Sequence, residues 1–283
     1  MQHVGIVGVG LLGTAIAGRL LKAGFDVVGF DIDQQRRELL SEFGGRPVDS
    51  AREVAHACKR VILSLPHSGI ATAVVDDIVG SLSPDSIVID TTTGDPETMK
   101  GLGNQLAEHR VSYLDSTVAG SSKQAHFGDV VVMVGGNTAA FESCRDIYSA
   151  IARETVHVGP CGSGAQMKLV VNLILGLNRA VLAEGLSYAR SLGLDLRDVL
   201  DLLKSTVAYS RVMDSKGEKM VTGDFSTEAR LSQHLKDVRL ILATASETGR
   251  SLPMSQLHEN LLASLDAAGH GNEDNSAVFK AYE

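Results

Sequence analysis

Apolar residues gather in short runs along the first part of the chain, at Val4–Val7, Asp26–Phe30, Val61–Leu65, Ile87–Ile89, Val111–Leu114 and Val130–Val134. Between them the apolar positions fall three and four residues apart, as in Leu12, Ile16, Leu20 and Ala23. A short apolar run bounded by turn residues is the pattern of a buried strand, and three-and-four spacing is that of a helix with one packed face. Their alternation up to about residue 160 predicts an α/β domain built on a doubly wound parallel sheet with crossover helices. After Gly162 the strand pattern stops, and the rest reads as helices punctuated by Gly193, Gly217, Gly223, Gly249 and Pro253. The expected division is an α/β domain over residues 1–161 and an all-helical C-terminal domain over residues 162–283. The first helix of the second domain, about Gly164 to Ser191, is apolar on nearly every side around Leu169, Val170, Leu173, Ile174 and Leu177. Such a helix is expected to be buried between domains or subunits. It points to a homodimer or homotetramer, although burial against its own domain leaves the same pattern.

Composition narrows the setting. With 283 residues and 44% hydrophobic content, the chain has enough apolar surface for a sizeable core and for two domains. The formal charge is −8, and 26 basic residues are scattered among 34 acidic ones, so no nucleic-acid partner is expected. Cys58, Cys144 and Cys161 stand far apart without a CxxC pair or a His/Cys spacing that holds zinc. No metal site is expected, and a reducing cytoplasm suits the chain. A first strand starting at His3 leaves no room for an export signal. The longest apolar stretch, Leu169 to Ala183, is interrupted by Asn172, Asn178 and Arg179. It is expected to fall short of the ~20 apolar residues of a bilayer span, so no membrane is expected either.

The first run leads directly into chemistry. Val4-Gly5-Ile6-Val7-Gly8-Val9-Gly10-Leu11-Leu12-Gly13 is a strand entering GxGxxG and then a helical pattern. In this context Gly8 permits a tight turn, Gly10 lets the backbone approach a pyrophosphate, and Gly13 lets helix and strand pack closely. Gly8, Gly10, Leu11, Leu12 and Gly13 are therefore expected cofactor contacts in a Rossmann-type domain. The pyrophosphate would sit on the helix N-terminus, where unpaired N–H groups and the helix dipole both favour an anion. Asp31 stands eighteen residues after Gly13, at the end of the second strand, where a carboxylate accepts hydrogen bonds from a ribose diol. It predicts NAD over NADP, with Arg36 and Arg37 nearby to soften that preference.

A second constellation runs from Gly159 through Asn172 (Gly-Pro-Cys-Gly-Ser-Gly-Ala-Gln-Met-Lys-Leu-Val-Val-Asn). Lys168 and Asn172 are four apart and project from one face of a helix. A lysine among apolar neighbours is costly to bury unless its charge is used or paired, and desolvation moves such an amine toward the range useful for proton transfer. The competing reading is a lysine whose stem merely covers apolar surface.

These motifs, in this order, resemble the β-hydroxyacid dehydrogenase family, which includes 3-hydroxyisobutyrate dehydrogenases, tartronate semialdehyde reductases and short relatives of 6-phosphogluconate dehydrogenase. The resemblance covers essentially the whole chain. It also rests on Leu65-Pro66, on Asp90-Thr91-Thr92-Thr93-Gly94-Asp95-Pro96, similar to D-x-S-T-x-x-P, and on Lys236-Asp237. It implies hydride transfer between NAD(P) and a small 3-hydroxy acid or its semialdehyde, with Lys168 as general acid/base and Asn172 orienting it and the reacting oxygen. It further implies that Leu65, Pro66 and Thr93 line the nicotinamide side and that Lys236 reaches cofactor or substrate. Asp237, apart from that match, reads as an ordinary exposed helix acid.

The family's substrate stretch D-A-P-V-S-G-G corresponds to Asp115-Ser116-Thr117-Val118-Ala119-Gly120-Ser121, followed by Ser122 and Lys123. Here the sequence departs from pattern, because Ala119 replaces the serine that grips the substrate carboxylate. Gly120, Ser121 and Ser122 are expected to cradle an anion through hydroxyls and backbone N–H groups instead. Lys123 either adds a charge for a second anionic group or simply opens the next helix at the surface. Two alternatives stand beside this reading: an imine reductase-like enzyme, which usually carries a different proton donor at Lys168, and a non-catalytic dinucleotide-binding sensor, suggested by Ala119.

Overall fold

The computed structural model describes residues 3–282; residues 1, 2 and 283, the outermost positions of the two expected domains, lie outside the described residues. The chain divides into two compact units that meet in sequence at Lys168/Leu169. The cut falls inside a helix, a little beyond the glycine loop where the sequence placed it.

The first unit holds strands β1 (His3–Val7), β2 (Asp26–Phe30), β3 (Arg46–Pro47), β4 (Arg60–Leu63), β5 (Ile87–Asp90), β6 (Ser112–Ala119), β7 (Val131–Gly136) and β8 (Glu154–Gly159). Its helices are α1 (Leu11–Lys22), α2 (Gln34–Glu42), α3 (Ala51–Ala57), α4 (Ser68–Ile78), α5 (Pro96–Glu108), α6 (Ser122–Phe127), α7 (Thr138–Ser143) and α8 (Arg145–Ile151), and α9 (Ser163–Ser191) starts here. The strands form one sheet in the order β3-β2-β1-β4-β5-β6-β7-β8. The expected doubly wound sheet is present with one correction: β7 runs antiparallel to β6, while every other neighbouring pair is parallel. Alternate residues of each strand point to opposite faces. Val4, Ile6, Ile62 and Ile89 pack beneath α1 and α8, while Val7, Val61, Leu63 and Val88 pack against α3, α4 and α5. Both faces being covered explains why these strands read as continuous apolar runs.

The second unit continues α9 and adds α10 (Leu196–Lys204), α11 (Glu218–Thr222), α12 (Leu231–Glu247) and α13 (Pro253–Leu265), closing on a 3-10 segment over Asn275–Tyr282. Leu186, Leu200, Met220, Leu235, Leu262 and Phe279 form its core. Asp274, fully buried, accepts from Lys216 Nζ at 2.9 Å, from the Ser276 hydroxyl at 2.7 Å, and from the backbone N–H groups of Glu228, Ala229 and Ser276 at 3.0–3.1 Å.

Two features of α9 refine its sequence reading. The whole helix is long and apolar enough, by length and composition, to cross a membrane, whereas the stretch to Ala183 was expected to fall short. It is also not buried on all sides: Val170, Ile174, Val181 and Tyr188 form one stripe at helical spacing, each more than half exposed. On its buried face lies Arg179, whose Nε and Nη1 find no hydrogen-bond partner among the described residues. Burial pushes this guanidinium down to about 10, partly offset by the Asp274 charge, and burial together with Arg179 pushes the nearby His258 ring down to about 4. Arg179→Met is therefore expected to stabilise the chain by about 1–4 kcal/mol, as apolar replacement of poorly compensated buried charge often does. Urea titration of the two proteins checks this; a less stable variant would refute it.

Candidate active site

The glycine turn between β1 and α1 has the geometry of an anion cradle. Gly8 has φ +93°, and a Cβ there would collide with the Ser64 carbonyl; a Cβ on Gly13 would collide with the Gly8 carbonyl. Around Gly10, by contrast, the space is open. Gly10 caps α1 without any side-chain hydrogen bond, and no acidic residue stands in the first turn, so the helix end is left for an incoming anion. Leu11 is exposed beside the turn and Leu12 half-buried. Asp31, just beyond β2, accepts from Val9 N at 2.6 Å and from Asp33 N at 2.9 Å. Its carboxylate is thus locked against the glycine turn. Arg37 donates to the Asp31 carbonyl at 2.6 Å and lies over the Phe30 ring. These residues fit a dinucleotide: a side-chain-free approach at Gly10, a helix start without a side-chain cap, and a fixed carboxylate where the sequence expects the ribose.

The adjacent ends of β4 and β5 carry the next expected contacts. Asp90 is fully buried, and its carboxylate accepts from Thr92 N and from the Tyr113 hydroxyl, each at 2.8 Å. Burial pushes this carboxyl up to about 6, against the pull of those hydrogen bonds. The Thr92 hydroxyl in turn accepts from Leu65 N at 3.3 Å. Leu65-Pro66 and the Thr93 turn are thereby tied to one another at the strand ends next to β1, half-buried or exposed. Open parallel sheets bind their ligands at these carboxyl ends, where the strand order reverses.

Lys168 is buried, with 9% of its surface exposed, and its Nζ donates to the Val118 carbonyl at 2.6 Å. That carbonyl immediately precedes the stretch from Ala119 to Lys123. Sequence reasoning missed what holds the start of α9 against β6. Asp115, 1% exposed, accepts from Gly162 N and Ala165 N at 2.9 Å each, and Thr117 Oγ1 donates to the Gly164 carbonyl at 2.9 Å. Burial pushes the Asp115 carboxyl up, with the Ala165 and Gly162 N–H groups opposing. An acid inside an apolar strand was the visible signal; its partners lie far along the chain.

In the substrate stretch, Gly120 has φ +149° and Ser121 caps α6 in a capping box. Ser121 Oγ accepts from Gln124 N, and Ser121 N donates to Gln124 Oε1 at 2.9 Å. Both polar groups of Ser121 are thus engaged by the helix, leaving Gly120 N and Ser122 as the polar groups of the expected cradle. Lys123 and His126 are exposed on α6.

Within the helical unit, Asn172 is 6% exposed and its Nδ2 donates to Asp237 Oδ2 at 3.0 Å. Asp237 is buried, which corrects its reading as an exposed helix acid, and its other oxygen pairs with Lys236 Nζ at 3.1 Å. The carboxylate therefore joins two residues expected to be functional. Their spacing did not announce this, because Asn172 and Asp237 meet only when α9 and α12 pack.

Comparison with known proteins gives this arrangement a family. A family model described as the NAD binding domain of 6-phosphogluconate dehydrogenase matches residues 3–159, and one described as NAD-binding of NADP-dependent 3-hydroxyisobutyrate dehydrogenase matches residues 162–282. The 2-(hydroxymethyl)glutarate dehydrogenase of Eubacterium barkeri is 31% identical, over 99% of this chain and 94% of the relative. The L-threonate dehydrogenase of Cupriavidus necator is 27% identical over 99% and 96%. The crystal structure of 3-hydroxyisobutyrate dehydrogenase from Salmonella typhimurium, 27% identical, superposes with a TM-score of 0.91 over 99% of both chains. Fold, glycine turn and full-length similarity agree: the chain belongs to the β-hydroxyacid dehydrogenase family of NAD(P)-dependent oxidoreductases, which act on hydroxy acids.

Proposed function

We propose that this chain interconverts a small anionic 3-hydroxy acid and its semialdehyde, with Lys168 as general acid/base, Asn172 orienting the reacting oxygen, and NAD as the preferred cofactor. The observation that carries the reading is Lys168 itself: a buried amine fixed at the Val118 carbonyl, at the mouth of the substrate stretch. The chain's relatives named for hydroxymethylglutarate and threonate support the substrate class.

Gly8, Gly10, Gly13 and the first turn of α1 would hold the pyrophosphate, Asp31 the ribose, and Leu65, Pro66 and Thr93 the nicotinamide side, with Lys236 reaching cofactor or substrate. When bound, the nicotinamide ring supplies or accepts the hydride. In oxidation, neutral Lys168 takes the hydroxyl proton at Nζ; in reduction, its ammonium gives a proton to the forming alkoxide. Val118 fixes where that nitrogen stands. Asp237 engages the Nδ2 end of Asn172, which presents the amide oxygen as its remaining acceptor. Gly120, Ser122 and the stretch around Ala119 and Ser121 receive the substrate acid. The exposed α9 stripe is the surface for a homodimer or homotetramer, to be checked by light scattering.

A screen of hydroxy acids, semialdehydes and their phosphate and sulfonate analogues, followed by NADH absorbance, tests the reading directly. Turnover on a hydroxy acid is expected, and its absence across the panel favours the sensor alternative that Ala119 raises. Turnover on imines alone would favour the imine reductase alternative, against which Lys168 argues. The same plate measures cofactor choice. Repulsion between Asp31 and a 2′-phosphate, with Arg37 held by backbone and ring, is expected to favour NAD on the order of tenfold in kcat/KM. Equal or better use of NADP, the cofactor in the description of the second family model, would refute the role of Asp31.

A further inference from the structure

We propose that Asp115 is a positioning residue for catalysis: its carboxylate clamps the first turn of α9 to β6 and thereby sets where Lys168 Nζ stands. The proposal rests on the reading of Lys168 as the acid/base.

A carboxylate buried in the middle of a sheet is costly unless both oxygens are satisfied. Here both are, by Gly162 N and Ala165 N. These N–H groups open α9 and lack partners within the helix, and the helix dipole favours an anion at that end. Each oxygen accepts an N–H, and these contacts favour the ionised form against the burial that pushes the carboxyl up.

The seat is close as well as polar. A Cβ on Gly135 would collide with Asp115 Oδ1, and one on Gly164 would collide with the Asp115 carbonyl. Two residues on, the Thr117 hydroxyl reaches the Gly164 carbonyl, and the next carbonyl, Val118, receives the Lys168 amine. One strand thus grips the helix start and the amine within four consecutive residues. Ala165 and Lys168 are three apart, on one helical face, so a shift of the clamped turn carries the amine with it.

Removing the carboxylate has two separable effects. Asn in its place offers one acceptor and turns an amide NH₂ toward a backbone N–H, which loosens the helix start. It also removes a negative charge near the first turn, so the Lys168 ammonium is less favoured and its pKa falls. The experiment compares Asp115→Asn and Asp115→Ser with Thr117→Val, which removes a neutral tie between the same strand and helix.

For Asp115→Asn, kcat is expected to fall roughly 10- to 100-fold with NADH affinity unchanged, and the acid limb of the oxidative pH profile should move to lower pH. Thr117→Val should lower thermal stability without moving that limb. An Asp115→Asn enzyme with altered stability but unchanged kcat and pH limb overturns the proposal, and so does failure of both Asp115 variants to fold, which would make the residue structural only. Lys168→Ala, run alongside, separates the two readings. Surviving turnover there sinks the acid/base role, whereas an inactive Lys168→Ala beside an unperturbed Asp115→Asn sinks the positioning role alone.

Discussion

Lys168→Ala is expected to lower kcat/KM by about 10²–10⁴-fold, the usual contribution of a positioned acid/base, while NADH binding measured by fluorescence stays near that of the parent. The two halves of this expectation have separate origins. The amine is held at β6 by Val118, whereas the proposed dinucleotide cradle is the glycine turn with Asp31. Lys168→Arg sharpens the test. A guanidinium keeps the charge and much of the length but does not deprotonate near neutral pH, so oxidation should remain lost. Recovery of oxidation by Arg would show that charge, not proton transfer, is what the position supplies.

The largest expected loss of stability lies in the helical unit, at Asp274. Replacing it with Ala leaves Lys216 buried with Glu228 as its remaining ion-pair partner among the described residues, at 3.4 Å, and strands the backbone N–H groups of Glu228, Ala229 and Ser276. Breaking a buried pair in this way costs about 3–5 kcal/mol, read as a drop in the urea midpoint. The double variant Asp274→Ala with Lys216→Met should regain part of that loss. The same carboxylate predicts an acid response. Burial pushes it up, but Lys216 and Ser276 overcome this and hold it at about 2, below the ~3.9 of an unfolded aspartate. Its stabilisation is therefore complete above about pH 4 and lost as the pH falls toward 2. An acid titration of stability that leaves parent and variant separated by the same amount at pH 2 and pH 6 would rule this out.

Much of the α/β unit was legible because its strands are covered on both faces, so the apolar runs at β1, β2, β4 and β5 marked themselves. Neither β3 nor β8 did. The first is two residues ending in Pro47, and the second, Glu-Thr-Val-His-Val-Gly, lies at the sheet edge and is only partly buried. Strand direction leaves no periodic trace either, which is why the antiparallel β7 went unread. The glycine turn was legible since its geometry is local. Asp115 and Asp237 were not, because what each carboxylate holds lies tens of residues away. For α9, composition told how apolar the helix is, not which side the rest of the chain covers.

The reversal between β6 and β7 has its own consequence. Residues 120–130 leave one strand and return along its neighbour, with Ala119 paired to Val131, and the intervening α6 is closed by a capping box at Ser121 and a left-handed Gly128. Both ends of this segment are pinned within one strand spacing, so it behaves as a self-contained cassette. Under the proposed reading, substrate preference in such a design changes through the side chains mounted on an unchanging frame, Ala119 among them.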